Sequence, residues 1–212
     1  MEEGVIKFQQ RFTKKSPIND EIIEDLNFWR QLLYYNHLIG KDPTKYNGAA
    51  YGNLSKRLGY NKSINKRKFV ITGTQTSGLA KLTNEHYSMV LEYYPESNLV
   101  FSEGPIRASS ESMTHGAIYD LDNSLRYVFH GHAHNIWRFS KNLKIPITLE
   151  DVEYGTPEMA EEVKRLFKET DVINKKIFAM GGHKDGIISF GKTIEESGMT
   201  MLNYLQKSLH YL

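Results

Sequence analysis

The amino-acid sequence predicts an α/β domain of three layers built on a mixed or antiparallel sheet. Three observations predict it. Short β-branched or aromatic runs alternate with amphipathic helical segments along all 212 residues. The connections between them are short, which favours one packed unit over two. Two of the runs, at 176–180 and 186–190, lie within hairpin reach, and a hairpin requires antiparallel strands. The whole chain, 1–212, is read as this one domain, with 1–18 as an N-terminal extension.

The elements follow in order. Ile22, Leu26, Trp29 and Leu33 recur at spacings of four and three, the stripe of a helix that starts near Asn19, a capping residue, and ends near Gly40. Residues 41–67, rich in Lys, Asn, Gly and Tyr, read as loops around a short strand or turn. Phe69-Val70-Ile71-Thr72 is a strand that runs into a loop of small polar residues, Gly73-Thr74-Gln75-Thr76-Ser77-Gly78. A helix is expected from about Thr83, a strand at 98–102, a helix over 110–121 and another strand from Tyr127. Thr156-Pro157-Glu158 combines a cap hydroxyl, proline at the first helical position and an acidic first turn, and predicts a helix to about Glu169. After the two hairpin strands, Thr193-Ile194-Glu195-Glu196 reads as a capping box opening a last helix with Ile194, Met201, Leu205 and Leu209 on one face.

Composition narrows the function. With 27 Lys+Arg against 25 Asp+Glu, the charge is too even to argue for nucleic acid or an anionic membrane. The absence of cysteine excludes a disulfide scaffold, a thiolate metal site and a cysteine nucleophile. Met1-Glu2-Glu3-Gly4 has neither the basic start nor the apolar run of a signal peptide, and no stretch approaches the roughly 18 apolar residues of a membrane span. The expectation is a soluble, cytoplasmic globular protein.

The strongest chemical signal is His130-Gly131-His132-Ala133-His134. On a strand, residues two apart share a face and lie about 6.6 Å apart, so neighbouring imidazoles can converge on one ion with bonds of about 2.0–2.1 Å. The same three rings would also point one way on a plain polar strand face, or pack with tyrosines. His130 and His134 are too far apart for all three to share a metal. A third ligand must come from elsewhere, and His183, in Gly181-Gly182-His183-Lys184-Asp185-Gly186 at the mouth of the predicted hairpin, is the best candidate, although a turn histidine needs no such role. His37, His86 and His210 have no partner motif and read as structural or solvent-facing.

Three further segments carry small polar residues. Ser109-Ser110-Glu111 stands at a helix start, where exposed amides and the macrodipole favour an anion, and where a simply capped helix would look the same. His115 falls one turn after Glu111 on the same face. Gly52-Asn53-Leu54-Ser55-Lys56-Arg57 and Thr76-Ser77-Gly78 each read as loops able to offer amides to phosphate, and equally as ordinary turns.

Taken in order, Gly52-Asn53-Leu54-Ser55, Thr76-Ser77-Gly78, Ser109-Ser110-Glu111, His130-x-His132 and His183 resemble the class II aldolase/adducin family over roughly residues 20–209. The resemblance implies a three-layer α/β/α sandwich with a mostly antiparallel sheet. It implies a divalent ion, zinc before Mn2+, Co2+ or Fe2+, held by His130, His132 and His183. It implies a pocket for a substrate phosphate formed by Asn53, Ser77, Gly78, Ser109 and Ser110, with Glu111 as catalytic acid/base. Its aldolases place a catalytic tyrosine from a neighbouring subunit just before the Gly-Thr that opens the late helix. By that count this chain has Asp151, and Tyr154, three residues on, is the candidate replacement. The insert between Leu38 and Gly52 departs from the sugar-phosphate aldolases.

The function implied is a metal-dependent lyase that cleaves a sugar, a ketose 1-phosphate, by retro-aldol chemistry through a metal-stabilised enediolate. Glu111 then needs a pKa lifted towards neutrality. The alternatives on the same residues are a sugar-phosphate dehydratase and a non-catalytic adducin-like binding module. The partners implied are a small sugar or sugar phosphate and further copies of the chain in a homotetramer with sites between subunits; neither nucleic acid nor membrane is expected.

Overall fold

Alternation of buried side chains along the strands decides where the two cores lie. The computed structural model describes residues 4–212, so Met1, Glu2 and Glu3, on which the signal-peptide reading and the start of the N-terminal extension partly rest, lie outside the described residues. In chain order the elements are β1 (Gln9–Lys14), α1 (Asp20–Tyr35), the short strands β2 (Gly40–Lys41) and β3 (Ala50–Tyr51), β4 (Asn53–Arg57) and β5 (Phe69–Thr72). They continue with β6 (Tyr87–Tyr94), β7 (Leu99–Gly104), α2 (Ser112–Leu121), β8 (Tyr127–His132), α3 (His134–Arg138) and α4 (Pro157–Glu169). The last are α5 (Val172–Lys175), β9 (Ile177–Ala179), β10 (Gly186–Gly191) and α6 (Ile194–Ser208).

The principal sheet has eight strands in the order β1-β7-β6-β5-β4-β8-β10-β9. Six neighbouring pairs are antiparallel, while the edge strand β1 runs parallel to β7, so the sheet is mixed. Phe69 and Ile71 of β5, Val128 of β8 and Ile188 of β10 point into one apolar cluster with Met113 and Ile118 of α2 and Met159, Val163 and Leu166 of α4. Val70, Phe129 and Ile187, the alternate residues, point into a second cluster with Leu26, Trp29 and Leu33 of α1, Ile136 of α3 and Met201 of α6. Strands buried on both faces lose the alternation of a half-exposed strand, which explains the continuous apolar run at 69–71. Each such side chain contributes about 1.5–3 kcal/mol of transfer free energy.

Several local signals operate as expected. Asn19 accepts the Glu21 amide (3.2 Å) and Thr156 the Met159 amide (3.3 Å), capping α1 and α4. Thr193 accepts the Glu196 amide (3.1 Å), but the Glu196 carboxylate accepts from the Lys192 amide (2.6 Å), so the box expected here is half of one.

Other expectations are corrected. Residues from Thr83 do not form a helix. Thr83 and His86 do form a capping box, yet it closes only one 3-10 turn before β6 takes the chain into the sheet, where Tyr87, Val90 and Tyr93 are buried between neighbours on both sides. Residues 53–57, read as a polar loop, form the central strand β4; their ladder partners, β5 and β8, are distant in sequence. The first helix stops at Tyr35 with Asn36 as its cap, leaving Gly40 to pair with Tyr51. Residues 9–14, read as extension, supply the parallel edge strand.

Candidate metal centre and anion loop

The centre forms where three neighbouring strands meet: β4 begins at Asn53, β8 ends at His132, and β10 begins at Gly186 opposite His132. His130 and His132 project from the face of β8 that bears Val128, the face covered by α2 and α4. The tight turn between β9 and β10 carries His183, and α2 starts immediately after Glu111. A Cβ at Gly182 would run into the Val152 carbonyl, and one at Gly155, where φ is +68°, would lie 2.6 Å from the Ser110 carbonyl oxygen. Both positions therefore need glycine for close backbone approach beside the centre.

His130, His132 and His183 are all buried, and one ring nitrogen of each lies within 4.8 Å of those of the others. Ring centroids stand 5.0 Å apart for His130 and His132, 5.1 Å for His130 and His183, and 4.8 Å for His132 and His183. Nδ1 of His130 donates to the Ile187 carbonyl (3.2 Å), which places its proton there and leaves Nε2, buried and without a hydrogen-bond partner among the described residues, as a lone pair. Burial, then the neighbouring His183 and His115, hold His130 well below the ordinary histidine range; burial, His183, His130 and Lys45 do the same for His132. Neutral imidazoles are the ligating form. Three buried imidazoles, one of them with an orphaned lone pair, fit a divalent transition ion and leave coordination positions open to other ligands.

Glu111 is buried, at the N-cap of α2, with a carboxylate oxygen 3.5 Å from Nδ1 of His183. Tyr154 is buried with its ring 4.5 Å from that of His183, tilted 30°. The Val5 amide donates to the Tyr154 hydroxyl (3.0 Å), and the Lys7 ammonium lies 3.9 Å from its ring centroid. Behind Glu111, His115 Nδ1 lies 2.7 Å from the Ser55 hydroxyl, which also meets the Tyr119 hydroxyl at 2.7 Å; burial pushes His115 down to about 3.

The residues expected to bind phosphate gather at the same end of the sheet. Asn53, Ser77, Ser109 and Ser110 are buried, and among the described residues Asn53 Oδ1 has no hydrogen-bond partner. Ser77 donates its hydroxyl to the Gly52 carbonyl, which ties its loop to the start of β4. A Cβ at Gly78 would lie 2.9 Å from Cβ of Lys41, so the loop packs closely against that side chain.

His134 does not share the face of His130 and His132. The strand ends at His132, the Ala133 amide turns to the Asp185 carbonyl (2.8 Å), and His134 opens α3, half exposed, with Nδ1 2.8 Å from the Asp185 carboxylate. Sequence reasoning missed three residues here. Tyr46 donates to the other Asp185 oxygen (2.7 Å) and lays its ring 4.6 Å from that of His132. Tyr46, Tyr51, Lys45, His132, Lys184 and Asp185 line a cavity of about 420 Å³ at the mouth of the centre. Nothing in the spacing of Tyr46 or Asp185 signals this. Arg30, which donates to the Ser77 carbonyl (2.7 Å), interrupts the apolar stripe at Leu26 and Leu33 with spacings of four and three, a signal that could have found it.

The sequence matches the Class II Aldolase and Adducin N-terminal domain family over residues 30–210. No curated protein matches it. Among solved structures, the chain is similar to L-fuculose-1-phosphate aldolase from Thermus thermophilus (20% identity, 91% of this chain and 93% of that one covered, TM-score 0.63). It is also similar to a sugar-phosphate aldolase from Thermotoga maritima (16% identity, 90% and 93% covered, TM-score 0.64). The N-terminal class II aldolase domain of a conserved protein from Thermoplasma acidophilum is another (15% identity, 96% and 98% covered, TM-score 0.59). At these identities the likeness is one of fold.

Proposed function

The chain belongs to the Class II Aldolase and Adducin N-terminal domain family, and on that premise we propose that it is a metal-dependent lyase cleaving a carbon–carbon bond of a sugar phosphate, a ketose 1-phosphate, by retro-aldol chemistry. The observation that carries this reading is the meeting of three buried imidazoles, His130, His132 and His183, beside the buried carboxylate of Glu111. His130, His132 and His183 would hold the ion, zinc by the chemistry of the donor set. When bound, it supplies Lewis-acid stabilisation of the negative charge that develops on the substrate's carbonyl and hydroxyl oxygens.

The protein's own groups do the rest. In cleavage Glu111 takes the proton of the hydroxyl whose carbon becomes the aldehyde, the electron pair of the breaking bond moves to the carbon beside the carbonyl, and Glu111 passes the proton on to that carbon; in condensation the same transfers run in reverse. Asn53, the Ser77 and Gly78 amides, Ser109 and Ser110 bind the phosphate and so fix the reacting carbon against Glu111. Tyr154 remains the candidate catalytic tyrosine in this reading; its ring lies against His183, and its oxygen accepts the Val5 amide. The assembly in this reading is a cytoplasmic homotetramer, which light scattering tests.

The deciding experiment is metal analysis of the purified protein followed by a screen of phosphorylated and free ketoses. Stoichiometric zinc and two carbon fragments from a ketose phosphate support the proposal. A single dehydrated product would make the chain a dehydratase on the same residues, and the absence of stoichiometric metal would make it a binding module.

A further inference from the structure

Arg30 is 2% exposed, on the face of α1 that packs against the sheet. Its guanidinium meets backbone carbonyls of a single loop: Nη2 donates to Ser77 (2.7 Å) and Thr76 (3.4 Å), and Nη1 donates to Ala80 (3.0 Å). The peptide plane links each carbonyl to the next amide, and in a trans unit the two point in opposite directions. The Thr76 carbonyl shares its plane with the Ser77 amide, and the Ser77 carbonyl with the Gly78 amide. Arg30 therefore holds the back of the two peptide units whose front edges are the Ser77 and Gly78 N–H groups. Among the described residues, neither of those amides has a hydrogen-bond partner. The rest of the loop is satisfied internally: the Thr76 hydroxyl donates to Gly73 (2.8 Å) and the Leu79 amide to Thr76 (3.0 Å).

The charge is as informative as the geometry. The hydrogen bonds of the guanidinium go to carbonyls, its central carbon lies 5.2 Å from the Tyr34 ring centroid, and among the described residues no carboxylate is a hydrogen-bond partner. A buried cation without a counter-ion is costly, and that cost falls when an anion arrives in front of the loop. Hydrogen bonds from a cation to a carbonyl also polarise the peptide and strengthen its N–H as a donor. Lysine cannot substitute fully, because only the planar fork reaches several carbonyls at once.

We propose that Arg30 is the positioning residue of the anion loop, orienting the Ser77 and Gly78 amides towards a phosphate and lending them its buried charge. This rests on the reading of that loop as a phosphate site. The test is calorimetric titration of the full-length protein with inorganic phosphate, zinc-loaded and chelator-treated, for the parent chain, Arg30→Lys and Arg30→Met. The parent binds phosphate. Arg30→Met weakens binding about 100-fold and Arg30→Lys about tenfold, as loss of two or of one charge-assisted interaction would give. Zinc stoichiometry stays unchanged in both. If Arg30→Met does not fold, Arg30→Lys decides alone. Phosphate binding at parental strength in the variants overturns the proposal and leaves the phosphate site standing. Parallel loss of zinc and phosphate also overturns it, by making Arg30 a support of the whole fold. Failure of the parent to bind phosphate at all removes the phosphate reading itself, and the proposal with it.

Discussion

Asn53 and His130 stand opposite each other across the antiparallel junction of β4 and β8. A strand that begins at a candidate anion-binding residue is thus locked in register with the strand that presents two of the three clustered imidazoles. A one-residue slip would send each set to the opposite face of the sheet. The distance between Asn53 and the imidazole cluster is therefore set by ladder hydrogen bonds, which are stiffer than loops.

Glu111→Gln keeps the shape of the side chain and removes its ability to carry a proton. It is expected to retain stoichiometric zinc and lose about 10²–10⁴-fold in kcat, the usual scale of acid–base catalysis. Steady-state kinetics with metal analysis of the same preparation checks this; near-parental turnover would remove Glu111 from the chemistry.

His132→Ala and His134→Ala separate two residues that the sequence presents as equivalent. The first should lower zinc affinity by at least about 100-fold, more than an outer-sphere change costs. The second, half exposed and facing Asp185, should leave zinc stoichiometry intact. Competition with a chelating dye reads both.

Gly182→Ala places a methyl group against the Val152 and Glu150 carbonyl oxygens, the latter 3.0 Å away. Because His183 is the next residue, the strain displaces a candidate ligand. Stability should fall by about 1–3 kcal/mol, the usual cost of overpacking, and zinc affinity should fall with it. Urea unfolding and metal titration are the measurements, and unchanged affinity would mean that the turn absorbs the methyl group elsewhere.

Acid should destabilise the metal-free protein through His115. Burial depresses its folded-state pKa to about 3 from the unfolded value near 6.5. Between those limits the unfolded chain binds the proton and the folded chain does not, so stability falls as pH drops from about 6.5 towards 3 and is level above. His130 and His132 shift in the same direction, also by burial. Urea midpoints at several pH values should decline through this window, and His115→Gln should flatten the slope.

How much was legible in the sequence depended on where the determining forces lie. Asn19, Thr156-Pro157 and Thr193 act on their own helices, so their caps were readable. The Thr83 box was equally readable and equally real, but one turn of local hydrogen bonds loses to a strand buried between two neighbours. β4 carries Ser55 because it meets His115 and Tyr119 beside the site, and Lys56 because it pairs with Asp25 of α1 on the other face; only its partners in β5 and β8 make it a strand. β1 shows no apolar alternation; its place comes from backbone pairing at the sheet edge. Within the site, His130, His132 and Glu111 were marked by spacing and order, and His183 by its glycine turn. Tyr46 and Asp185 reach the centre through a contact 139 residues apart in sequence, which leaves no periodic trace.

The tether from Val5 and Lys7 to Tyr154, and from Tyr154 to His183, has a practical corollary for anyone handling the molecule. An affinity tag or fusion partner joined to the amino end pulls on a side chain one ring away from the imidazole cluster. Leu212 is exposed, and the neighbouring Tyr211 packs its ring on Phe139 rather than on the cluster. Purification handles, surface immobilisation and fluorescent fusions therefore belong on the carboxyl side.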